Sequence, residues 1–199
     1  MKPNPFQALP EAVEVAGRMF PIDPDFRVGI AIELEAGEPE PDAAGLLLQF
    51  YRGTIPEPAE AAAEEMIRFY AHQDGGEEPQ NEGKPARRAY DFAQDADALQ
   101  ASFLDAYGVD LSTAKLHWWT FKRLLCNLPP ETPFMKRMYY RTADTKGMSK
   151  SERKHVEKMR KLYALKKPSG PQQTAEEMEA AYKKKVWQRY ESARAQIGR

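Results

Sequence analysis

Apolar residues recur at helical spacing along much of the chain, most densely between residues 90 and 142. Within that stretch Leu99, Phe103 and Tyr107 follow one another every four residues, which places them on one face of a helix. Gly108 comes next, at the position where a left-handed residue ends many helices. The pattern therefore predicts one helix that ends at Tyr107.

A second and a third helix are predicted directly after it. The run from 113 to 127 carries Trp118, Trp119 and Phe121 on a broad apolar side, where Cys126 is expected as a small core residue. Adjacent residues of an α-helix point about 100° apart, so the two tryptophans cannot both face the same neighbour fully. Either both belong to the core, or one of them meets a neighbouring element or another chain. Two prolines end this helix, and the third runs to Arg141, which is expected to be solvated or paired.

Turn and cap residues divide the remaining chain. Alternating apolar residues on both sides of Gly17 predict a small β-hairpin. Residues 25–35 fit a strand or a helix, and the preceding Asp-Pro favours the helix. Residues 73–88 are rich in glycine, proline and charge, which predicts a loop. Residues suited to begin helices are Asp23-Pro24, Asp42, Glu57, Asp95 or Asp97, Thr132-Pro133, Ser149 or Ser151, and Thr174.

These elements predict a mainly α protein: a compact helical domain with a small N-terminal β-hairpin and a C-terminal helical extension. The expected domains are residues 1–142, with a flexible loop at 73–88, and a basic helical arm at 143–199. The arm holds a basic helix that ends near residue 165 and a last helix after Thr174. That last helix carries an apolar stripe that includes Met178, Tyr182 and Trp187, which suggests an arm that docks on another protein or changes position.

The net charge of −1 conceals an uneven distribution along the chain. Residues 1–110 contain 22 acidic and 8 basic side chains, whereas residues 143–199 contain 7 acidic and 15 basic side chains. Opposite charges can attract within one molecule or between copies. The charge distribution leaves two alternatives, a head-to-tail oligomer and two oppositely charged faces that are each solvated independently. We expect a homo-oligomer.

The candidate chemistry is sparse. A single cysteine excludes an internal disulfide framework and a cysteine-rich metal site. A catalytic His117 would need an orienting acid, for which the sequence offers only Asp110, and a histidine bonded near the core is the favoured interpretation. His72 and His155 lack metal-ligand spacing, and no phosphate loop or nucleophile motif occurs. We expect no enzyme activity, no cofactor, no metal and no membrane span.

The basic arm raises the question of nucleic-acid binding. Its helix contains Lys150, Arg153, Lys154, Lys158, Arg160 and Lys161, and Tyr163 or Trp187 could stack on bases. Glutamates are interleaved with these cations, however, and no nucleic-acid-reading motif is present. A solvated or protein-docking face is the favoured interpretation, and nucleic-acid binding is the third hypothesis after the two given below.

A family resemblance carries the functional expectation. The resemblance lies in Tyr107-Gly108-Val109-Asp110-Leu111, Leu116-His117-Trp118-Trp119 and Phe121, with flanking matches from Leu9-Pro10-Glu11 to Arg141. Over roughly residues 9–142 the chain resembles the gene-product-fifteen family of tailed bacteriophages. The resemblance implies a product of the tail module, encoded near the tape-measure protein and acting as a tail-assembly chaperone.

That resemblance implies a non-enzymatic protein of the host cytoplasm that shields helices of the tape-measure protein, or binds other tail proteins, until the tail polymerises. The alternative is a structural component of the virion, such as a connector or a subunit of a tail-completion ring. The residues expected to contact a partner are Tyr107, Trp118, Trp119, Phe121, Met178, Tyr182 and Trp187.

Overall fold

The computed structural model describes residues 8–36, 38, 41–71 and 89–166. Their contacts form two compact units. The first unit contains the described residues before position 72 together with Leu116–Lys122, and the second contains residues 89–115 and 123–166. The loop predicted at 73–88 and the helix predicted after Thr174 lie outside the described residues.

The first unit begins with the predicted hairpin. Strands β1 (Ala12–Val15) and β2 (Arg18–Pro21) pair antiparallel, with Val13 opposite Phe20. The two turn residues, Ala16 and Gly17, have φ of 49° and 79°, as in the two-residue turns that match strand twist. Because an isolated hairpin is marginal in water, its packing against a helix of this unit is what stabilises it.

Three helices complete the scaffold of the first unit: α1 (Phe26–Ala36), α2 (Ala43–Phe50) and α3 (Ala59–Tyr70). The ambiguous segment at 25–35 is therefore a helix, as predicted. The Asp42 side chain caps α2 by accepting a hydrogen bond from the Gly45 backbone N–H. The large apolar side chains enclosed in this unit are Ile22, Phe26, Val28, Leu47, Phe50, Met66, Trp118 and Phe121.

Residues 116–122 belong to the first unit, and their contacts there explain why the helix predicted at 113–127 begins later than expected. The Phe26 N–H donates to the Leu116 carbonyl, and the Trp118 N–H donates to the Pro24 carbonyl. Because these backbone groups pair across the chain, residues 114–117 lie outside the helix and α5 spans Trp118–Cys126. Its residues up to Lys122 belong to the first unit and the rest to the second.

The second unit is built from α4 (Ala96–Tyr107), the end of α5, α6 (Pro133–Thr142) and α7 (Lys150–Leu162). Gly108 ends α4 with φ of 64°, as predicted. Ser149 and Glu152 form a capping box at the start of α7. Thr132 precedes α6 without a side-chain cap, and the Phe134 N–H donates instead to the Ser102 hydroxyl of α4 at 3.0 Å.

The fold class predicted from the sequence is confirmed: the chain is mainly helical, with a small N-terminal hairpin and a C-terminal helix. The segment after residue 142 contributes α7, which packs against α6 and has Val156 buried. No helix within the described ranges is long and apolar enough to cross a membrane.

Candidate interaction surfaces

Trp118 lies in the interior of the first unit, with 1% of its surface exposed. Its indole N–H donates to the Tyr70 carbonyl at 3.2 Å, and its ring stacks on Phe121. Gly29 of α1 lies so close that an added Cβ would stand 2.2 Å from the Trp118 ring. The absence of a side chain at Gly29 is therefore what lets this indole occupy the core.

Phe121 is fully buried and stacks on Phe26 with ring centroids 4.8 Å apart. Since Trp118 and Phe121 are both enclosed, neither belongs to the surface that this structure offers to a partner. Their packing matches the core interpretation that the sequence left open. Partner binding through them stays a prediction, and it would require the first unit to rearrange.

Trp119 is half-buried and meets a neighbouring element of the same unit. Its indole N–H donates to the Phe69 carbonyl at 3.0 Å, and its ring stacks on the Phe69 ring. The last carbonyls of a helix have no partner within that helix. The two tryptophans therefore supply hydrogen-bond donors to two consecutive carbonyls, those of Phe69 and Tyr70, at the end of α3.

His117 has both ring nitrogens engaged. Nδ1 accepts a hydrogen bond from the Trp119 backbone N–H at 3.1 Å, and Nε2 lies 3.0 Å from the Pro10 carbonyl oxygen. A neutral ring with its proton on Nε2 satisfies both contacts. His117 therefore positions backbone in this structure, which is a structural role of the kind favoured from the sequence.

Tyr107 lies half-buried in the second unit, where its hydroxyl donates to the Leu124 carbonyl at 2.9 Å. Partial burial raises the pKa of this hydroxyl. The edge of the ring meets Phe103. The remaining candidate partner residues, Met178, Tyr182 and Trp187, lie outside the described residues.

The expectation for Cys126 was wrong, because its side chain is exposed. Counted from the buried Trp118, residue 126 has turned about 80° around the axis of α5, away from the buried side. Cys126 is also the last residue of the helix, where fewer neighbours cover it.

An ion cluster within the second unit was not anticipated. The buried Asp95 carboxylate accepts two hydrogen bonds from the Arg141 guanidinium, one from Arg137 at 3.2 Å and one from the Asp91 backbone N–H at 3.1 Å. Burial opposes ionisation of Asp95, but hydrogen bonds from Arg141, Asp91 and Arg137 outweigh it and hold the pKa of Asp95 below its ordinary value. Arg141 also donates to the Ala89 and Tyr163 carbonyls. Arg141 of α6 thus links three parts of the second unit: Ala89 near its beginning, Asp95 at the start of α4, and Tyr163 at the end of α7.

Two groups that a nucleic-acid interface would use are engaged within the second unit. The Arg160 guanidinium donates to the Tyr140 and Ala143 carbonyls. Tyr163 stacks on Tyr140, and the guanidinium of Arg137 lies over the Tyr163 ring, 5.6 Å from the ring centroid. These contacts weaken the hypothesis of nucleic-acid binding, because Arg160 and Tyr163 already have partners.

Large apolar side chains are exposed on both units. The first unit exposes Met19 and Leu48, and the second exposes Leu104 of α4, Tyr139 of α6 and Leu162 of α7, which are 54%, 52% and 68% exposed. Within the described ranges, no group of three or more His, Cys, Asp or Glu side chains is placed to hold a metal ion. The chemistry offered at these surfaces is apolar contact and charge.

The fold and its surfaces define a mainly helical protein whose described surface offers apolar and charged side chains to other molecules. The family described as Bacteriophage Gp15 protein matches residues 6–165, and the chain belongs to that family. The match includes α7 and thus extends beyond the residues that carried the resemblance in the sequence. Neither the curated proteins nor the solved structures gave a match.

Proposed function

We propose that this phage protein acts in tail assembly as a chaperone that binds the tape-measure protein and runs no reaction. The observation that carries the proposal is family membership across residues 6–165. The exposed Leu104, Tyr139 and Leu162 of the second unit supply the apolar contacts such binding needs. These side chains lie on three different helices, and each would cover part of the apolar face of an amphipathic partner helix.

The free energy available from these apolar contacts indicates how tightly one copy would bind the partner. Burying a whole leucine side chain contributes about 1.5–3 kcal/mol, so the exposed parts of three large side chains contribute about 3–5 kcal/mol. A complex with a dissociation constant of about 1 μM needs about 8 kcal/mol. One copy would thus bind weakly, and we expect several copies to bind along one long partner, where linked sites add avidity.

Co-expression with the tape-measure protein of the same phage tests this proposal. We expect the wild-type chain to co-purify with that protein and to keep it soluble. The triple variant L104S/Y139S/L162S should lose both properties, whereas the control M19S/L48S, which removes exposed apolar side chains of the first unit, should keep them. Failure of the wild-type chain to co-purify or to solubilise the tape-measure protein would contradict the proposal.

A second candidate is a structural subunit of the virion. It is favoured by the burial of Trp118 and Phe121, because two aromatic side chains expected at a chaperone's binding surface are enclosed in the core instead. Mass spectrometry of purified particles separates the two. Abundant peptides of this chain in the particle favour the subunit, and their absence favours the chaperone.

A further inference from the structure

The outer face of α7 carries a row of four exposed lysines. Val156, Met159 and Tyr163 mark the side of the segment that packs against its own unit. At about 100° per residue, the lysines fall within a sector about 80° wide on the opposite side. This lysine stripe consists of Lys150, Lys154, Lys158 and Lys161.

The acidic side chains of α7 do not cancel the stripe. The Glu152 carboxylate accepts the Ser149 N–H in the capping box. Glu157 lies at the edge of the stripe and offsets one of its charges, while Arg153 adds a fifth exposed cation, so the face keeps a net positive charge. Like charges four residues apart, such as Lys150 and Lys154, also repel one another along a helix. The stripe is thus a positive surface that an acidic neighbour would stabilise.

The first unit offers a matching acidic face. On α3, Glu60 and Glu64 are exposed on the side opposite the buried Ala59, Met66 and Tyr70, and exposed Glu57 precedes the helix. Arg68 shares this side, but its guanidinium pairs with Glu65 at 2.6 Å. The charges of the whole units agree with this local picture: the described first unit has 12 acidic and 5 basic residues, and the second has 9 acidic and 13 basic residues.

We propose that the lysine stripe of one copy docks on the acidic α3 face of a second copy. The charges are complementary, and Glu60–Glu64 and Lys154–Lys158 share a four-residue spacing, which gives one helical turn, about 6 Å, between charges in each row. Because the two faces are different surfaces, the contact is head-to-tail and leaves one face of each kind open at the ends. The assembly can therefore grow beyond a dimer.

This inference does not depend on the proposed function, because it concerns the chain alone. The pairs are exposed to solvent, so each is weak and is screened by salt. We expect the average mass in sedimentation equilibrium to rise with protein concentration, past that of a dimer, at about 25 mM salt, and to fall to that of a monomer near 0.5 M salt.

A charge swap on the full chain tests the contact. The variants K154E/K158E and E60K/E64K should each lower the association constant at low salt by about tenfold or more, and a mixture of the two should associate again through the swapped faces. The control K136E/K146E makes the same change in net charge at exposed lysines outside the stripe and should have little effect. Circular dichroism checks folding, and K154Q/K158Q, which adds no negative charge, should weaken association less.

A monomer at every concentration in low salt would overturn the proposal, and so would a control as damaging as K154E/K158E or a mixture that fails to associate. The same holds if reversing the stripe changes only the monomer's hydrodynamic radius, as for a contact within one chain. Loss of binding to a short DNA duplex in K154E/K158E with self-association intact would assign the stripe to nucleic acid instead.

Discussion

Replacing Asp95 with alanine should be among the most destabilising single changes in the second unit. The Asp95 side chain has no exposed surface, and the guanidinium of Arg141 beside it is 6% exposed. The substitution leaves that guanidinium buried without its carboxylate. Removing one partner of a buried ion pair costs about 3–5 kcal/mol, because the remaining charge is uncompensated. That is a large share of the roughly 5–15 kcal/mol by which folded domains are stable.

Urea unfolding followed by circular dichroism measures this loss. The matched control is Asp97→Ala, which makes the same substitution in the first turn of α4 at an exposed side chain and should cost much less. In a double-mutant cycle, D95A/R141A should cost less than the sum of the two single variants, since each single change already breaks the pair. A loss below about 1 kcal/mol for Asp95→Ala would refute the reasoning, because it would place this ion pair in the range of surface pairs.

The same carboxylate predicts a pH dependence. The pKa of folded Asp95 lies below its ordinary value because hydrogen bonds from Arg141, Asp91 and Arg137 outweigh burial. A lowered folded pKa means that the contribution to stability is fully present above the unfolded pKa, about 3.9, and is lost as pH falls through the folded value. The difference in unfolding free energy between wild type and Asp95→Asn should therefore stay constant from about pH 6 to 8 and shrink below about pH 4. A difference that grows on acidification would contradict this assignment.

Three further substitutions test local geometry by urea unfolding. Gly29→Ala should destabilise by about 1–3 kcal/mol, since the clash of its Cβ with Trp118 outweighs a helix-propensity gain of about 1 kcal/mol, and it should cost less in a Trp118→Phe background. Gly108→Ala should cost about 1–2 kcal/mol because of its φ of 64°, and Gly108→Asn less; equal costs would contradict this reason. Trp119→Phe keeps a ring on Phe69 but loses the hydrogen bond to the Phe69 carbonyl, so it should cost about 0.5–1.5 kcal/mol, and a neutral result would argue against that bond.

The elements that the sequence predicted correctly are those with a local cause. The hairpin turn at Gly17 needs a positive φ, and Gly108 ends α4 in the same way. Asp42 caps α2 through a backbone N–H three residues ahead, and Ser149 and Glu152 form a capping box of the same length. Each signal is contained within one turn of chain, so its geometry follows from residue type and spacing alone.

The features that the sequence could not predict depend on residues far apart in the chain. Asp95 looks like an ordinary helix cap, and only the approach of Arg141, 46 residues later, makes it the centre of a buried ion cluster. The start of α5 is set in the same way, because Trp118 donates its backbone N–H to Pro24 and so cannot continue a helix backward. Local spacing carries no information on such pairings, since it does not say which segments meet.

The paired tryptophans show how a local pattern and a distant partner combine. Spacing alone did not show how both side chains could be accommodated, because adjacent side chains on a helix diverge by about 100°. The carbonyls of Phe69 and Tyr70 are also adjacent, and they too are rotated by about 100° around the axis of α3. Trp118 bonds the Tyr70 carbonyl and Trp119 the Phe69 carbonyl, so the divergence of one pair matches that of the other. Helix α3 is followed by Ala71, not by a glycine, and these last carbonyls have no hydrogen-bond partner within the helix. Two consecutive indoles therefore supply hydrogen bonds to both carbonyls, which a single core tryptophan could not do.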